Sequence, residues 1–165
     1  MLSEAMFSDE QLKAIGCLAL ESQRLDDIAD SIIREYCSNL IAELWIGRMM
    51  VRSKLKILRD LLLDGLTDES LKQEYESLNS RMTTDIDLRN TVIHGEWRVP
   101  GDGIPLRELL TTLVYRSIDA VAVKGDQTIK ASEIMELALR FDRHYKELIQ
   151  IWIKIEEALP NRRGA

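Results

Sequence analysis

The chain reads as an all-α, antiparallel helical bundle with a small loop and β-ribbon insertion before its last helix. Three observations carry this. Leu, Ile, Ala, Met, Glu, Lys and Arg dominate the 165 residues, whereas aromatic residues make up only 5%, a balance that favours helices. Apolar side chains recur at helical spacing over most of the chain. Finally, Pro100, Gly101, Gly103, Pro105 and Gly125 gather in one stretch, residues 97–131, where that spacing stops.

Ser8 with Gln11 three residues later has the form of a capping box, and Leu12, Ile15, Leu18 and Ala19 follow at helical intervals. Leu25, Ile28, Ala29, Ile32, Ile33 and Tyr36 continue the period, so residues 9–37 form either one long helix or two broken near Arg24. Leu44, Val51, Leu55, Leu58 and Leu62 mark an amphipathic helix over residues 40–63, ended at Asp64-Gly65. Thr67 is placed to cap a third helix running through Leu71, Tyr75, Leu78, Met82, Ile86 and Val92 to His94. Within 97–131, Leu113-Val114-Tyr115 and Val121-Ala122-Val123 are β-prone, with Gly125-Asp126 as a turn and Thr128-Ile129 beyond it. Residues 106–113 also fit a short helix. From Ser132 as cap, Ile134, Leu137, Ala138, Phe141, Tyr145, Leu148, Ile149, Trp152 and Ile155 define the last helix, and residues 161–165 read as a frayed tail. With no repeats and no long linker, residues 1–165 read as one domain.

The net charge of -6 argues against a protein that grips long nucleic acid nonspecifically, since that mode rests on many uncompensated cations. A small basic cleft is compatible with it. Arg48, Arg52, Lys56 and Arg59 step by four, four and three residues, forming one basic stripe that is either a solvated, ion-paired face or an RNA-binding one. Cys17 and Cys37 lack partners at metal spacing and read as buried thiols. Residues 1–11 lack a basic head with an apolar core, and no run of about 18 apolar residues exists, so a soluble, cytoplasmic protein with no membrane association is expected.

Chemistry concentrates in Arg89-Asn90-Thr91-Val92-Ile93-His94-Gly95-Glu96-Trp97. Asn90 and His94, four apart, share a helix face. Arg89 is five residues from His94, roughly 140° around the helix, so it reaches the same site only through its long stem or by loosening of the helix near Gly95. At a helix C-terminus the dipole favours a protonated imidazole by about 0.3–1 kcal/mol, which suits a histidine acting as both acid and base. In the competing structural reading, Arg89 pairs with Asp85 at i, i+4 and His94 caps the helix end. Asp85, Asp87 and Glu96 lie among arginines with no second histidine in reach, so ion pairs are expected there and neither a metal nor a cofactor. His144, in Arg140-Phe141-Asp142-Arg143-His144-Tyr145, reads as a surface histidine without an oriented partner. Trp45, Trp97 and Trp152 are assigned to packing in the core or at an interface in preference to base stacking.

The pattern Arg-Asn-x-x-x-His resembles the signature of the HEPN superfamily. The resemblance implies a bundle of about four or five helices, usually a homodimer, and in many members metal-independent endoribonuclease activity. Carried onto this sequence, it makes His94 the catalytic histidine, Arg89 the arginine and Asn90 the adjacent polar residue, with two such motifs from two subunits facing one cleft. Gly95-Glu96 after the histidine departs from the x-Tyr of toxins paired with nucleotidyltransferase antitoxins, so that subgroup is not expected. The implied chemistry is attack of an RNA 2′-hydroxyl on its own phosphodiester, and one histidine does not easily serve as base and acid at once, which is a physical reason for a dimeric site. The alternative is a noncatalytic HEPN-like helical dimer that binds RNA or a regulatory protein partner.

Overall fold

The computed structural model describes residues 9–37, 45–94, 97–98, 110–112 and 127–159. Asp9–Tyr36 form one unbroken helix, α1, which decides between the two readings of that stretch. Ser8 lies outside the described residues, while Gln11 is buried. α2 covers Val51–Leu63, so the single helix expected over 40–63 is interrupted. Trp45 and Ile46 are helical, and Arg48 N–H donates to Trp45 O (3.0 Å) and Met49 N–H to Ile46 O (3.1 Å) to close a turn. Met50 is then extended. The break falls at Gly47, a residue type with poor helix propensity; Leu44 is outside the described residues. α2 ends as expected at Asp64-Gly65, where Gly65 takes φ 69°, a left-handed conformation that costs glycine little.

α3 runs Glu69–His94. Its cap is Asp68, not Thr67: the Asp68 carboxylate accepts from Ser70 N–H (2.9 Å) and Leu71 N–H (3.0 Å), and a charged acceptor also suits the positive end of the helix dipole. α4 runs Ala131–Ala158. Here Ser132 is already inside the helix, and the end is closed by Glu133, whose side chain accepts from Lys130 N–H (2.6 Å). Between α3 and α4, β1 (Trp97–Arg98), β2 (Leu110–Thr112) and β3 (Gln127–Ile129) form a small antiparallel sheet in that order. Trp97 faces Thr112, and Leu110 faces Ile129, in the register. The short helix considered for 106–113 is therefore excluded over 110–112. Thr128-Ile129 fall in β3, whereas residues 106–109, 113–115, 121–123, 125–126 and 161–165 lie outside the described residues.

Cross-links give the helix directions. α2 opposes α3, through Arg52–Asp87 (3.1 Å) and Arg59–Glu76. α3 opposes α4, through Arg81–Glu147 (2.6 Å) and Lys154–Glu74 (2.7 Å). α1 lies beside α4 and runs the same way, since Arg24 meets Asp142 (3.4 Å) and Tyr36 meets Glu156 at the far end, so the all-α bundle is antiparallel along α2, α3 and α4 and not, as expected, throughout. α1, α2, α3 and α4 each turn one stripe inward: Leu18, Leu25 and Ile32 from α1, Leu55, Leu58 and Leu62 from α2, Tyr75, Leu78 and Met82 from α3, Phe141, Leu148 and Ile155 from α4. Each such side chain contributes about 1.5–3 kcal/mol of burial. Cys17 and Cys37 are free thiols, half-buried against this core and not fully enclosed. No helix among the described residues is long and apolar enough to cross a membrane.

Candidate active site at the end of α3

The packing of α3 against α1 places the Arg-Asn-His motif. Val92 and Ile86 are buried and hold the last turns of α3 against the bundle, which leaves Arg89 half-buried at the α1 boundary and His94 exposed as the final helical residue. Arg89 Nε donates to Ser22 Oγ on α1 (3.3 Å), and the Ser22 hydroxyl donates in turn to Ala19 O (3.1 Å). With the stem anchored, Nη1 of Arg89 reaches both Asn90 Oδ1 (3.0 Å) and His94 Nε2 (3.2 Å). The long side chain thus spans the unfavourable five-residue offset, and α3 stays helical to His94. A guanidinium only donates, so Nε2 of His94 is the acceptor and a neutral ring carries its hydrogen on Nδ1. Burial pulls the Arg89 pKa down and the charge of Asp26 pulls it up, with a net fall; a guanidinium nonetheless stays charged in proteins.

The pairing of Arg89 with Asp85 considered from sequence does not form. Asp85 turns instead toward α4, where Oδ2 accepts from Arg140 Nε (3.0 Å) and meets His144 Nε2 (2.8 Å). Burial pushes the Asp85 carboxyl up, but the His144 hydrogen bond and the Arg140 charge outweigh it and hold the carboxyl below its ordinary range. His144 is accordingly not a surface histidine: it is 3% exposed and edge-on to Phe141. The signal was in the spacing, since His144 follows the buried Phe141 by three and precedes the buried Leu148 by four.

The four basic residues divide. Arg48 precedes α2, in the turn after Ile46, and is exposed. Arg52 pairs with Asp87, and Arg59 pairs with Glu76 and Asp60 (3.4 Å). Lys56 is exposed with no ion pair among the described residues. Arg52, Lys56 and Arg59 line a groove of about 400 Å³ with Asn79 and Thr83 of α3. Residues 79, 83, 90 and 94 are spaced by four, seven and four, so the groove wall and the motif occupy one face of α3. Of the tryptophans, Trp45 is 65% exposed and Trp152 half-buried; the side chain of Trp97 is outside the described residues. No family model, curated protein or solved structure matches this chain.

Proposed function

We propose that the chain is a metal-independent endoribonuclease of the HEPN type, acting as a homodimer with Arg89, Asn90 and His94 at the site. The observation that carries the reading is the bridge made by one atom: Arg89 Nη1 joins Asn90 Oδ1 and the exposed His94 Nε2. A phosphodiester entering there meets a cation for its nonbridging oxygens and an imidazole beside it. In the reaction the base removes the 2′-hydroxyl proton, O2′ bonds to phosphorus, and the P–O5′ bond breaks as an acid protonates O5′. The products are a 2′,3′-cyclic phosphate and a 5′-hydroxyl. His94 takes one proton role, and the His94 of a second subunit the other. The basic groove on the same face of α3 supports an RNA path toward the motif. Exposed Trp45 and Met50 (65% and 72%) supply apolar surface for a partner copy.

One observation favours the noncatalytic reading, in which the dimer binds RNA or a protein: the Arg89 side chain is already hydrogen-bonded within its own subunit, to Ser22 and Asn90. Product analysis separates the two. In excess EDTA, cleavage of a structured RNA is expected to continue at an unchanged rate and to leave 2′,3′-cyclic phosphate ends, because neither a base nor a guanidinium needs a metal. Activity that returns only with Mg²⁺ or Mn²⁺ assigns the chemistry to carboxylates, and no cleavage at all assigns the motif to binding.

A further inference from the structure

A second arginine and histidine, Arg140 and His144 of α4, meet at Asp85 on a different part of α3. Asp85 and His94 are nine residues apart, roughly half a turn around the helix, and Asp85 lies with Ser80, Arg81, Thr84 and Leu88 in a groove closed by Arg140, Arg143 and His144 of α4. The groove holds about 490 Å³, a small-ligand size. Its lining carries three arginines, one histidine and one carboxylate in a chain of net charge -6.

The arrangement is built from the carboxylate outward. Ionised Asp85 has no hydrogen to give, so Oδ2 accepts from both Arg140 Nε and His144 Nε2 and fixes both side chains with one atom. Arg140 is thereby anchored through Nε, and its terminal Nη groups make no hydrogen bond to the described residues. Nδ1 of His144 is enclosed and has no hydrogen-bond partner among those residues; in a neutral ring with its hydrogen on Nε2 it only accepts, so the anion is left to the guanidinium donors. Arg81 and Arg143 pair with Glu147 (2.6 Å) and Glu136 (2.8 Å) with 49% and 54% of their side chains exposed. Ion pairs that exposed are weak enough to exchange for another anion.

We propose that this groove binds the phosphate group of a nucleotide-sized ester, with the Nη fork of Arg140 as the anchored donor and Arg81 and Arg143 as arms that close on it. Phosphate suits the site better than carboxylate because a fixed fork and two mobile guanidinia offer more donors than two carboxylate oxygens accept. The proposal is independent of the RNA-cleavage reading, since it uses none of Arg89, Asn90 or His94.

The test is an NMR titration of the full chain at low ionic strength, following the ring nitrogens of His144 and Nε of Arg140. Adenosine monophosphate is the free-ester probe and a short DNA oligonucleotide the backbone probe. The expected result is saturable shifts at both residues, with affinity about tenfold weaker in Arg140→Lys, which keeps the charge and loses the fork. The exposed double variant Arg81→Gln/Arg143→Gln is expected to weaken binding while melting as wild type, which keeps the test decisive if Arg140→Lys fails to fold. Shifts with adenosine monophosphate make the ligand a free phosphate ester, and shifts with the oligonucleotide alone make it a nucleic-acid backbone. Absence of saturable shifts with either probe overturns the proposal, as does affinity unchanged in the double variant.

Discussion

His94→Ala is expected to lower RNA cleavage by about 10²–10⁴-fold, the usual worth of a positioned acid or base, while leaving the fold intact. The imidazole is exposed at the last residue of α3, so its removal opens no cavity. It takes away one hydrogen bond from Arg89, whose guanidinium keeps Asn90 and Ser22. Exposed substitutions of that kind usually shift stability by about 0.5 kcal/mol or less. The check is single-turnover cleavage of a labelled RNA alongside far-UV circular dichroism and thermal melting. A variant that cuts RNA at the wild-type rate removes His94 from the chemistry; one that unfolds makes it a structural residue.

The largest expected stability effect lies elsewhere, at Lys54. Its side chain is 3% exposed and its ammonium sits between Asp26 (2.9 Å) and Asp30 (2.8 Å) of α1. Burial pulls the Lys54 pKa down, yet the hydrogen bonds to Asp30 and Asp26 outweigh it and raise it. A raised pKa means that the contribution is complete below the ordinary lysine value of 10.5 and is lost as pH climbs through the higher folded value. Lys54→Met leaves two carboxylates facing each other at the α1–α2 boundary. The expected loss is roughly 2–4 kcal/mol at neutral pH, somewhat under the cost of breaking a fully buried pair because both aspartates keep some solvent. Adding Asp26→Asn and Asp30→Asn should recover much of it, since a neutral cluster no longer repels itself. Denaturant unfolding of the two variants measures this, and a triple variant as unstable as Lys54→Met would locate the loss in packing and not in charge.

Helical period and punctuation made most of the bundle legible in the sequence, and the misses share a physical cause. Apolar spacing draws the stripe of α4 through Tyr145, Ile149 and Trp152, all half-buried, whereas the fully buried positions include His144 and Ile151. A stripe drawn only through apolar residues drifts off the true inward face when a polar residue occupies it, and Asp85 across the interface is what makes a buried histidine tolerable there. Lys54 is invisible to helical spacing for the same reason: its partners come from another helix, 24 and 28 residues earlier. The interruption at Gly47 was masked because Val51 and Leu55 continue the period set before it. The Arg89–Asn90–His94 cluster, by contrast, is local in sequence, so spacing on one helix sufficed to bring it together. What spacing did not supply is Ser22, the α1 residue on which Arg89 leans.

In the proposed reaction two copies of the motif make one site, and subunit mixing tests that most directly. Each wild-type subunit supplies one of the two imidazoles that the reaction needs, and a His94→Ala subunit supplies none. If the cleft is composite, a mixed dimer lacks one proton carrier, so adding excess His94→Ala subunits to the wild-type chain should silence the wild-type partners and pull cleavage far below the rate the same amount of wild-type chain gives alone. A rate that stays proportional to the wild-type subunits present, or a wild-type chain that sediments as a monomer at micromolar concentration and still cuts RNA, would contradict it.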